Sequence, residues 1–110
     1  MGTMYMSKIG YDDTLDRLVV AFCRDYFRRE EAIRDSKCTK RTRMEYEYVN
    51  RRIADAARDV VGDEYEIYIK EIGYCIGYAG SVIDDVSESM YKVRKAEVKN
   101  KIAKNLHLLD

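Results

Sequence analysis

"TKRTRMEYEYVNRRIADAARDVVG", residues 39–62, carries the pattern that decides the fold. Tyr46, Val49, Ile53, Ala56 and Val60 recur at steps of three, four, three and four, which aligns them on one face of an α-helix. Thr39 offers a capping hydroxyl at the start, and Gly62 stands where glycine ends helices, just past the last turn. Ala56 and Ala57 let a second helix approach closely. A helix with one apolar seam must bury it, so the segment requires partners.

The flanking sequence supplies them. Upstream, acids at Asp12 and Asp13 open a helix in which Leu15, Val19, Phe22, Tyr26 and Ile33 share a face. Its second half, "RREEAIRDSK", is too charged to be more than partly covered, and residues 36–39 read as a turn. Downstream, Tyr65, Ile69, Ile72, Ile76 and Ala79 predict a continuous helix from Asp63 to Ala79, closed by Gly80. Gly73 and Gly77 each disfavour a helix interior by about 1 kcal/mol, so two short helices are the alternative. "SVID", residues 81–84, fits a capping box and predicts another helix from Ser81. That helix either runs unbroken to about Leu106 or breaks near Val86, with Ser87 capping a fresh one.

With no internal repeat or linker, residues 1–110 form a single domain: an all-α, compact bundle of four principal helices with short connections. Two seams of heptad-like spacing leave a homodimer open.

Composition narrows the function classes. The chain has no proline, is 46% hydrophobic and 36% charged, and carries zero net charge, which excludes disorder and a uniformly basic nucleic-acid binder. No apolar run approaches the roughly 20 residues of a membrane span, and "MGTMYMSKIG" lacks a signal-peptide core. Cys23, Cys38 and Cys75 are odd in number and lack metal-ligand spacing, so they read as reduced cytoplasmic thiols, with Cys23 and Cys75 in or near the core. No catalytic constellation is visible. His107 is the one histidine, near the C-terminus, and the acid pairs Asp12/Asp13 and Asp84/Asp85 point to different helix faces. "IGYCIGYAG" lacks the lysine and strand of a phosphate-binding loop. Tyr65, Tyr68, Tyr74 and Tyr78 read as core and seam residues with hydroxyls at the edge. The sequence thus predicts a non-enzyme without metal, cofactor or small-molecule substrate.

Zero net charge hides a segregation. Asp63 to Ser89 holds seven acids and one base, whereas Met90 to Asp110 holds six bases and two acids. A second basic cluster comprises Lys37, Lys40, Arg41 and Arg43, with no acid between them. On the last helix, Tyr91, Val98, Ile102 and Leu106 form a narrow apolar strip. Lys92, Lys95 and Lys99 flank it on one side, and Arg94, Lys101 and Lys104 on the other. Such a helix suits a phosphate-lined groove, because each neutralised phosphate releases counterions. The alternative is a solvated helix whose lysines pair with the acids of residues 63–88.

"SESMYKVRKAEVKNKIAKNL", residues 87–106, resembles the C-terminal recognition helix of small phage-type transcriptional regulators, late-gene activators with a helix-turn-helix like region four of sigma factors. The likeness lies in the Ser87–Glu88 start, Tyr91, the bases Lys92, Arg94 and Lys95, and the closing Ala103 and Leu106. The acidic "GYAGSVIDDVSES" departs from the turn that precedes that helix in the family. The resemblance implies double-stranded DNA as partner and the last helix as part of a helix-turn-helix. It makes Ser87 the N-cap. Glu88, Ser89, Lys92 and Lys95 would lie near base edges or adjacent phosphates, and Arg94, Lys99 and Lys101 on phosphates. Lys37, Lys40, Arg41 and Arg43 would add a second phosphate contact if the bundle brings them to the same face. The rival reading is a helical interaction or assembly module acting through a homodimer or partner-helix seam.

Overall fold

A computed structural model describes residues 10–109, so the opening segment read above for a signal peptide lies outside the described residues. The described residues form an all-α bundle without strands. Helix α1 spans Asp13–Arg34, α2 Lys40–Val61, α3 Tyr65–Gly73 and α4 Glu88–Asn105, with single 3-10 turns at Gly62–Glu64 and Tyr78–Gly80. Three helices carry side-chain N-caps, of which Thr39 is the one the sequence places outright and Ser87 one of its two alternatives. Asp12, Thr39 and Ser87 accept the backbone N–H of Leu15, Thr42 and Met90 respectively.

α1 and α2 form an antiparallel hairpin, tied at its root by Arg29 and Asn50. Arg29 donates to Asn50 Oδ1 at 2.6 Å, and Asn50 Nδ2 donates to the Tyr26 carbonyl at 3.0 Å. α4 lies antiparallel to α2, with Lys101 near Asp59 and Asn105 Nδ2 donating to the Arg52 carbonyl. Val19, Cys23, Ile53, Ala56, Ala57, Ile69, Ile72, Val98 and Ile102 fill the shared core. The two alanines are completely enclosed, as a close helix approach requires.

α3 does not continue to Ala79. It stops at Gly73 and gives way to an irregular stretch, so the continuous helix predicted from Asp63 to Ala79 is not formed. Two forces end it. A Cβ on Gly73 would lie 2.6–2.8 Å from backbone atoms of Cys23 and Arg24, so glycine is required where α3 crosses α1. Arg24 Nε also donates to the Gly73 carbonyl at 3.0 Å. Beyond this crossing, Cys75 takes a left-handed conformation (φ 56°), and Ile76 N–H donates back to the Glu71 carbonyl at 2.8 Å. That is a Schellman termination with cysteine where glycine is usual. Cys75 is therefore exposed, contrary to the core placement expected for it, while Cys23 is fully buried.

The helix predicted from Ser81 is also absent. The Ser81 hydroxyl donates to Glu71 at 2.7 Å instead of capping a helix, and accepts the Ile83 N–H in a local turn. Of the two alternatives for residues 81–105, the break near Val86 is the one realised, with Ser87 capping α4.

Candidate nucleic-acid interface

The first turn of α4 is arranged as a cap. Ser87 Oγ receives Met90 N–H, and Glu88 sits where the helix dipole favours an acid. Beyond it, the lysines are less free than a solvated polar face implies. Lys92 pairs with Glu88 at 3.0 Å one turn back, an exposed i,i+4 contact worth about 0.3–0.5 kcal/mol. Lys95 is drawn inward. Its Nζ donates to the Ile76 carbonyl at 2.7 Å and lies 5.1 Å from the centre of the Tyr91 ring, with no carboxylate in ion-pair range among the described residues. Burial, then the neighbouring charge of Lys99, lowers the Lys95 pKa below the ordinary lysine value. Lys99 crosses to α1 and meets Asp16 at 3.0 Å, on the carboxylate oxygen that also accepts the Tyr11 hydroxyl. Lys101 reaches Asp59 of α2 at 3.6 Å. Ser89 is exposed at the helix start, its hydroxyl 3.4 Å from that of Ser87. Arg94 is half-buried and Lys104 exposed, neither in an ion pair among the described residues.

These contacts match neither charge pattern anticipated from sequence. The α4 lysines do not mainly answer the acids of residues 63–88; Lys99 and Lys101 take partners on α1 and α2. Nor do they all point outward. Residues 74–87 separate α3 from α4, whereas a helix-turn-helix joins its helices through about three or four residues.

The second basic cluster behaves differently. α1 ends in its own Schellman turn, with Ser36 left-handed (φ 53°) and Lys37 N–H donating to the Ala32 carbonyl at 3.0 Å. Thr39 then opens α2. Lys37, Lys40, Arg41 and Arg43 are all exposed, and none is in an ion pair among the described residues. No acid occupies the first turn of α2, so these cations stand at the positive end of the helix dipole, where they destabilise it. No residue from 30 to 49 is buried, so the far half of the hairpin projects from the core. Along its outer face Arg41, Met44, Tyr48 and Arg52 succeed one another at steps of three, four and four. Met44 is 60% and Tyr48 47% exposed, and the Arg52 guanidinium lies 5.0 Å from the Tyr48 ring centre. The antiparallel packing puts this tip at the opposite end of α2 from the start of α4. From Arg41 to Asp59, eighteen residues of helix span roughly 27 Å. The two clusters are thus not brought together at one point.

One polar centre escaped the sequence reading. Glu71 is 2% exposed; its Oε1 accepts the Tyr91 hydroxyl and the Ser81 hydroxyl, each at 2.7 Å, and its Oε2 accepts Val82 N–H at 3.0 Å. The Tyr91 hydroxyl is also 3.1 Å from the Ile76 carbonyl that receives Lys95. This web fixes the connection into α4, helped by Tyr78, whose hydroxyl donates to the Val86 carbonyl at 2.8 Å. Only the position of Glu71 between Ile69 and Ile72 hinted at it.

The tyrosines split. Tyr68 is core, Tyr65 and Tyr78 are half-buried, and Tyr74 is 51% exposed, stacking beneath Arg24. The Tyr68 hydroxyl is not at the edge: it is enclosed without a hydrogen-bond partner, and burial raises its pKa although Arg94 approaches. Between α4 and the turn at Gly77 and Tyr78 lies a cavity of about 210 Å³, lined also by Tyr91, Lys92, Lys95, Ala96 and Lys99. Among the described residues no cluster of histidine, cysteine and carboxylate side chains suits a metal ion, and no helix is long and apolar enough to cross a membrane. Comparison with protein-family models, with curated proteins and with solved structures finds no match.

Proposed function

We propose that the chain is a cytoplasmic DNA-binding regulator of the phage type its closing helix resembles, holding duplex DNA mainly through phosphates. The observation that carries this reading is the hairpin tip. Four cations stand there without carboxylate partners among the described residues, on a helix end whose dipole they oppose. A local stability rule broken without internal compensation points to an external anion. The Arg41, Met44, Tyr48 and Arg52 face adds an aromatic between bases, and Arg94, Lys101 and Lys104 of α4 supply further phosphate contacts. In this reading Lys95 and Lys99 support the helix, and base reading falls to the exposed first turn at Glu88, Ser89 and Lys92.

The test is fluorescence anisotropy on a duplex across a salt series. Neutralising Lys37, Lys40, Arg41 and Arg43 together is expected to flatten the slope of log K against log salt by about 3–4, since each phosphate contact contributes about 0.9. An unchanged slope would sink the reading. The rival, a protein-interaction module, draws support from Met90 and Val93, one turn apart on α4 and about half exposed (45% and 52%). It predicts a solution mass that rises with concentration and falls back in Val93→Lys.

A further inference from the structure

We propose that the cavity between α4 and the Gly77–Tyr78 turn is a binding site for a phosphate-sized oxyanion, held by the ammonium groups of Lys92, Lys95 and Lys99. The inference stands apart from the hairpin tip and does not require DNA.

Three observations converge. First, the lysines recur at steps of three and four on one face of α4 and line the same cavity of about 210 Å³. Drug-sized ligands fill pockets of about 300–1,000 Å³, so the space suits a small group better than a whole nucleotide. Second, Lys95 is a half-buried cation whose direct contacts are neutral, the Ile76 carbonyl and the Tyr91 ring, while Glu71 and Asp16 act on it only from beyond ion-pair range. Burying a cation without a counter-charge is unfavourable, which is why its pKa is lowered by burial and by Lys99. An anion in the cavity would remove that penalty. Third, donors remain unused. An ammonium group has three N–H bonds; Lys92 makes one contact to Glu88 and Lys99 one to Asp16. Gly77 N–H, on the cavity wall, donates to no acceptor among the described residues. Opposing charge is limited: Asp16 and Glu88 each engage one lysine, and the buried Glu71 is occupied by Tyr91, Ser81 and Val82. Charge-assisted bonds to several donors are the usual means of holding an oxyanion.

Isothermal titration of the full chain with inorganic phosphate, at constant ionic strength set by chloride, tests the site. Saturable binding is expected, weakened about tenfold in Lys92→Ala, the effect of losing one charge-assisted hydrogen bond. Lys92 is exposed, so its replacement leaves the fold intact, and Lys95→Met, if folded, is expected to abolish binding. Lys70→Ala removes an equal charge from the exposed side of α3 and should change nothing. Absence of saturation, or equal affinity in Lys92→Ala and Lys70→Ala, overturns the proposal. Adding duplex DNA separates the two sources of the anion. Phosphate that is displaced marks a contact for the nucleic-acid backbone, and phosphate that stays bound marks a site for a free oxyanion. Because the first titration contains no DNA, failure of the regulator reading leaves this result unaffected.

Discussion

The hairpin tip, residues 37–43, and helix α4 each carry a net charge of +4, yet the structure uses them in opposite ways. On α4, Lys95 and Lys99 lie against the bundle, where a carbonyl, an aromatic ring and Asp16 receive them. At the hairpin tip, Lys37, Lys40, Arg41 and Arg43 touch no acid among the described residues and no core lies beneath them. Charge counted along a chain measures how many cations exist. Availability depends on what the other helices bring alongside, and here Asp16 comes from 83 residues away.

From that contrast, perturbing the body should be costly and perturbing the tip nearly free. The largest effect is expected from alkali. Burial raises the Cys23 thiol from 9.0 to about 12, and raises Tyr26 and Tyr91 as well. The unfolded chain then releases these protons first, so stability is intact below about pH 9 and falls as pH climbs toward 12. For Cys23 alone the loss reaches roughly 4 kcal/mol at most. Lys95, lowered in the fold, works the other way, but Tyr11 and Tyr68 are raised too, so it is one group against five. Urea midpoints at pH 8 and pH 11 measure the difference; equal midpoints would mean that the core is not closed around Cys23.

Next comes the crossing of α1 and α3. Gly73→Ala forces a methyl group into backbone at 2.6–2.8 Å and is expected to cost about 3 kcal/mol. Gly77→Ala, with nothing within 4 Å of its added carbon, should stay within about 1 kcal/mol of the parent. Comparable losses in the two variants, read by denaturant unfolding, would break the claim that the body is close-packed there. Smaller still is Cys75→Gly. It relieves a left-handed cysteine at a helix end and should raise stability by about 1 kcal/mol, seen as a higher midpoint. The smallest effect belongs to the tip. Lys40→Glu puts an acid where the dipole favours one, so it should stabilise the fold by about 0.3–1 kcal/mol while weakening duplex binding. A variant that loses stability as well as DNA would show the tip to be structural.

What the sequence discloses follows range. The α2 seam, the Thr39 cap and the Gly62 stop depend on residues within a turn of each other and are legible by spacing alone, whereas spacing leaves Ser87 as one of two candidate starts. The end of α3 is not. Its setting is made by Arg24, forty-nine residues away, whose backbone crowds Gly73 and whose guanidinium takes the Gly73 carbonyl, and its Schellman turn falls on Cys75 in place of glycine. Ser81 misled for the same reason. Its hydroxyl can cap a helix, but Glu71, ten residues earlier, is the partner it takes. The cationic run of α4 was legible as composition, whereas the partners of Lys99 and Lys101 emerge only once α1 and α2 are packed beside it.

The projecting hairpin has one more implication, for proteolysis. Its tip offers four trypsin targets within seven residues, on a stretch that no buried side chain anchors. Brief digestion of the native protein should therefore nick the chain there first. Each severed helix would keep its inner half clasped by α3 and α4, so the two fragments should elute as one particle and separate only in denaturant.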